Sequence, residues 1–133
     1  MNAGSLDEVI PLAEKAIRIG PRDPSIGYRY LMIGDVYGLK ERPDEAIVWF
    51  EKARGTIAAV PQLWANLAAA HALRGDLPEA AADLTEARRL SLDDRYSSIA
   101  RMRAVGACGA PKIHELCEAT YFAGLRKAGM PEE

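Results

Sequence analysis

The chain is poor in cysteine, in aromatic residues and in net charge. Cys108 and Cys117 are its only cysteines, too sparse a pair for a disulfide scaffold and better suited to a reducing cytosol. Aromatics make up 7% of the 133 residues, while alanine is abundant. With 17 Lys and Arg against 19 Asp and Glu, the formal charge is −2, so no long-range field draws the chain to nucleic acid or anionic lipid. The densest basic cluster, Arg88, Arg89, Arg95, Arg101 and Arg103, is interrupted by Glu86, Asp93 and Asp94 and reads as a solvated face. No stretch approaches the roughly 18 apolar residues of a membrane span, and the N-terminal MNAGSLDEVIPLA has no basic segment ahead of a long apolar run. The expectation is a soluble, cytoplasmic protein with no nucleic-acid or membrane partner.

Catalytic signatures are missing too. There is no glycine-rich phosphate loop, no nucleophile elbow and no His-Glu-x-x-His pair. His114 and Cys117 stand three apart and, with Cys108, offer three soft ligands, but a fourth is lacking and Cys117 joins an apolar stripe, which favours burial over metal or redox work. His114 and Glu118 form an i, i+4 pair of the ordinary surface kind, and His71 occupies a packing position. Asp44, Glu45, Asp76 and Glu79 sit at helix starts, where the backbone dipole favours negative charge. No enzyme activity, cofactor or metal is expected.

What the chain does contain is a repeat. The phrase KERPDEAIVWFEKA begins at Lys40, and RGDLPEAAADLTEA begins thirty-four residues later at Arg74. Aligning Ala46 with Ala80 defines two frames, 27–60 and 61–94, of the length characteristic of helix-turn-helix repeats. Each frame carries a large aromatic (Tyr30, Trp64), an aliphatic (Ile33, Leu67), a tiny residue (Gly34, Ala68) and a ring (Tyr37, His71) at matching places. Spacings of three, four and seven put the large residues on one helical stripe, and Gly34 and Ala68 leave room for a neighbouring helix. Ala46, Phe50 and Ala53 match Ala80, Leu84 and Ala87, so each frame holds a second amphipathic helix.

The turns follow the same division. Gly75 can end the first helix of its frame in the left-handed conformation, Asp76 can cap the next helix, and Glu79 completes a capping box. The other frame has Glu41 where glycine is expected and Arg42 in place of the acidic cap, although Pro43 suits a first helical position, so its turn should be the less stable one. Seven helices are predicted, at about 6–19, 25–39, 43–56, 60–73, 77–90, 95–104 and 111–128.

These residues resemble tetratricopeptide repeats over most of the chain. LAEKAIRIGP, residues 12–21, is similar to the end of an earlier unit, with a register that would restart at Pro24, three residues ahead of the frame at Gly27. The expected fold is an all-α, tetratricopeptide-like helical-repeat solenoid in one domain, 1–133. It comprises a partial repeat at 6–23, repeats at 27–60 and 61–94, and a degenerate repeat with a C-terminal capping helix at 95–129. The segments PRDPSIGYRYLMIGDVYGL and YFAGLRKAGMPEE are also similar to the C-terminal repeat region of bacterial adenylate-cyclase-like or winged-helix regulators, although no cyclase or DNA-binding residue is present.

The resemblance implies a concave groove formed by the first helix of each unit, here by Tyr28, Leu31, Met32, Asp35, Gly38 and Leu39, then Gln62, Ala65, Asn66, Ala69, Ala72 and Leu73, continued by Tyr96 and Ile99. Asn66 stands where carboxylate-clamping repeats carry asparagine, but the basic residues of such clamps are missing: Leu31, Asp35, Tyr96 and Ala100 occupy the clamp positions. The groove is mostly apolar and small, with Asp35, Gln62 and Asn66 as polar handles, which suits an amphipathic helix or an apolar extended segment. Three occupants are open: the chain's own last helix, a second copy in a homodimer, or a separate protein or peptide. The alternative function is a regulatory or sensory fragment of a larger regulator, with a small ligand in the groove.

Overall fold

The computed structural model describes residues 3–20, 22, 25–106 and 113–133, with side chains from Glu8 onward. Pro21, Pro24 and Cys108 lie outside the described residues. The helices are α1 (Ala3–Ile19), α2 (Ile26–Leu39), α3 (Pro43–Ile57), α4 (Pro61–Arg74), α5 (Leu77–Leu90) and α6 (Ile99–Ala104), followed by α7 over 114–127. No strand occurs among the described residues. Helices α1 to α5 each pack against the next in sequence order, with α2 on α3 and α4 on α5 as the tightest pairs, so the architecture is all-α and repeat-like.

Each pair is held by the bulk alternation of its frame. A side chain on Gly34 would reach within 2.4 Å of the Phe50 ring, so α2 and α3 interlock only because that residue is glycine. Phe50 joins Leu31, Ala46, Ile47, Ala53, Ile57, Leu63, Leu67 and Ala70 in a core shared by α2, α3 and α4. The second core gathers Ala65, Ala68, Ala69, Ala72, Leu84, Ile99, Met102, Phe122, Leu125 and Met130 between α4, α5, α6, α7 and the C-terminal tail.

The turns within the two frames, α2–α3 and α4–α5, each use a left-handed residue: Glu41 at φ +60° and Gly75 at φ +92°. Glycine takes that conformation without steric cost and glutamate does not, so the first turn carries the strain expected of it. The capping expectation is corrected, because Asp76 makes no side-chain cap to α5 and its carboxylate instead pairs with Arg74 at 3.3 Å.

Two predicted helices differ in detail. Residues 95–104 are divided into a short 3-10 turn, Arg95–Ser97, and α6. Ser98 separates them in an extended conformation, its hydroxyl accepting from the Arg101 amide at 3.1 Å. The first amides of α6 are satisfied by the tail, Ile99 N–H donating to the Pro131 carbonyl at 2.9 Å and Ala100 N–H to that of Glu132 at 2.8 Å. Helix α7 contains a π-helical stretch, Glu118–Phe122, between α-helical His114–Cys117 and Ala123–Lys127. The chain beyond α5 thus turns back on itself, and α7 lies against α4 instead of extending the stack.

Candidate functional site

The groove positions of the two units meet different surroundings. On α4, Ala65, Ala69 and Ala72 are buried in the core that α7 shares, and a side chain at Gly124 would come within 2.4 Å of the Ala69 carbonyl oxygen. Alanine on one helix and glycine on the other allow this approach. On α2, Tyr28, Met32, Asp35 and Leu39 recur at helical spacing, with Tyr28 52% and Met32 48% exposed. Of the other expected groove residues, Leu31 turns into the α2–α3–α4 core, and Tyr96 and Ile99 are buried beneath α7 and the tail. The chain's own last helix therefore covers Ala65, Ala69 and Ala72 of the second unit.

Between α2, α4 and α7 a cavity of about 400 Å³ remains. It brings together eight of the expected residues, Met32, Asp35, Gly38, Leu39, Gln62, Asn66, Ala69 and Leu73. Sequence reasoning did not assign Val9, Phe50, Ile113, Thr120 or Tyr121 to it. Tyr121 carried the one usable signal, since a phenol on an apolar helical stripe needs a polar partner once buried.

A chain of polar side chains runs along the cavity. The Asn66 amide donates to the Asp35 carboxylate across the two units. The Gln62 amide donates to Asn66 Oδ1 at 2.8 Å, and the Tyr96 hydroxyl reaches Gln62 Oε1 at 3.4 Å. The Tyr121 hydroxyl is buried without a hydrogen bond of good geometry, although the Gln62 amide lies close by. Burial raises the Asp35 carboxyl from its ordinary value to about 7 and pushes the Tyr121 phenol well above its own. An acid that is half-ionised near neutrality, in a largely apolar recess, can bind a donor or a cation, or hold a proton.

The other singled-out residues are structural or peripheral. His71 Nδ1 lies 2.6 Å from Asp83 Oδ2, an ion pair between α4 and α5, and that hydrogen bond raises the imidazole above its ordinary value despite desolvation. His114 is exposed. Cys117 is buried as expected, but it is disulfide-bonded, which corrects the expectation of a reduced thiol packed in the apolar stripe. Among the described residues, no helix is long and apolar enough to cross a membrane. No family model matches the chain, and no curated protein matches it either.

Proposed function

We propose that the chain is a tetratricopeptide-like interaction module that acts by binding a protein segment, without catalysis. Its partner is an apolar helical or extended peptide, docked on the face of α2 that α7 leaves uncovered. The exposure of Tyr28 and Met32 beside the cavity carries this reading, because two large apolar side chains at adjacent turns of one helix form a continuous anchor surface. The packing of α7 on α4 supports it by example: the first helix of the second unit already packs against another helix of the chain.

The test is selection of peptides from a displayed random library on the full chain, followed by binding to Tyr28→Ala and Met32→Glu variants. Apolar peptides that lose at least tenfold in affinity to either variant are expected. Failure to enrich any peptide, or peptides indifferent to both substitutions, would overturn the reading. Light scattering of the same full chain covers self-association: a dimer split by Met32→Glu makes the partner a second copy.

A second reading, a sensory fragment that holds a small ligand for a larger regulator, is favoured by one observation: the hydrogen-bonded chain of Asp35, Asn66 and Gln62 lines the cavity.

A further inference from the structure

We propose that the cavity between α2, α4 and α7 binds a small organic cation, an alkylammonium group on a compact apolar body, with Asp35 as its counter-charge. The cavity's volume of about 400 Å³ falls within the usual span of small-molecule sites. Its walls are apolar over most of their extent, with Met32, Leu39, Phe50, Leu73 and Ile113 among them. Among the described residues, the lining includes no lysine, arginine or histidine beside Asp35.

The hydrogen-bond accounting selects the ligand's sign. Asp35 Oδ1 accepts from Asn66, and no hydrogen bond to Oδ2 is made among the described residues. The Tyr121 hydroxyl is buried on the same cavity without a hydrogen bond of good geometry. A half-buried carboxylate with one open oxygen in an apolar recess is costly without a cation, and an anionic guest would raise that cost. An ammonium group has donors for both Asp35 Oδ2 and the Tyr121 oxygen. The near-neutral Asp35 carboxyl fits this arrangement, since it lies where a carboxyl lacking its counter-ion would be held. The inference goes beyond peptide docking and does not depend on it, because Tyr28 is not part of the cavity lining.

The experiment is calorimetric titration of the full chain at pH 7.5 with n-hexylamine and 2-phenylethylamine, beside hexan-1-ol and hexanoate as neutral and anionic controls. Both amines are expected to bind at least tenfold more tightly than the alcohol, with hexanoate weakest. Asp35→Asn should abolish the preference for amine over alcohol while melting at or above the wild-type temperature, and Tyr121→Phe should reduce amine affinity by a smaller factor. Binding of Nα-acetyl-lysine methylamide at comparable strength would assign the ammonium to a partner's lysine side chain, and binding of the free amines alone would assign it to a small molecule. The proposal is overturned if none of the amines binds, if hexan-1-ol matches hexylamine, or if Asp35→Asn leaves the amine preference intact. Tyr28→Ala should leave amine binding unchanged, so loss of peptide docking and loss of cation binding are read separately.

Discussion

In the unit 61–94, the first helix carries Ala65, Ala69 and Ala72 and packs closely against α7; in the unit 27–60, the matching places hold Leu31, Asp35 and Gly38, and α7 touches α2 only lightly, through Glu118–Phe122. The contrast follows from side-chain size. A run of alanines lets Gly124 of α7 settle onto the Ala69 backbone, whereas the carboxyl group of Asp35 at the corresponding place demands a polar partner and finds it in Asn66. Units with one frame thus do two jobs: one caps the array, the other leaves a lined recess.

The largest expected effect tests the covered unit. Phe122 is 2% exposed in the core beneath α7, and Phe122→Ala should destabilise the chain by about 3–5 kcal/mol in chemical denaturation. Met32→Ala on the uncovered unit should change it by no more than about 0.5 kcal/mol. Equal losses would erase the distinction between the two faces.

Next comes the interlock of each helix pair. Gly34→Ala should cost about 1–3 kcal/mol, because the new methyl meets the Phe50 ring. Combining it with Phe50→Leu recreates the Ala68 and Leu84 combination of the other unit, and the double variant should lose less than the sum of the two singles. Strict additivity would mean that the alternation of bulk does not couple the helices.

The turns give a smaller effect. Glu41→Gly should stabilise the chain by about 0.5 to 1 kcal/mol, the relief of a left-handed glutamate reduced by the greater entropy of unfolded glycine. Gly75→Glu should do the reverse by a similar amount, both read from thermal melts.

The smallest effect is that of pH through His71, whose place in the first unit is taken by Tyr37. Its folded-state value is raised by Asp83, so the pair's stabilisation is fully present below the ordinary histidine range and is lost as pH rises through the raised value. The melting temperature of wild type should fall between pH 6 and pH 8 by slightly more than that of His71→Tyr. Asp35 contributes a fall of the same sign in both proteins, because its carboxyl is raised to about 7.

How far the sequence could be read depended on whether the signal was local. The thirty-four-residue alignment placed α2 to α5 within a residue or so, and the left-handed Gly75 followed from turn chemistry. Asp76 satisfied every local rule for a cap, yet its carboxylate pairs with Arg74 two residues before it, a local interaction that competes with the cap. The break at Ser98 depends on carbonyls from Pro131 and Glu132, over thirty residues away. The cavity was half legible: Asp35, Gln62 and Asn66 stood out as polar handles in an apolar row, but their linkage runs between units, and Tyr121 enters only because α7 folds back.

The division of the concave face is tested most directly by native-state amide hydrogen exchange on the full chain. If α7 caps the second unit, the amides of Ala123–Lys127 open with the same free energy as the central amides of α4 and show the same denaturant dependence. Rapid exchange along α7 while α4 stays fully protected would place that helix off the groove and contradict the account.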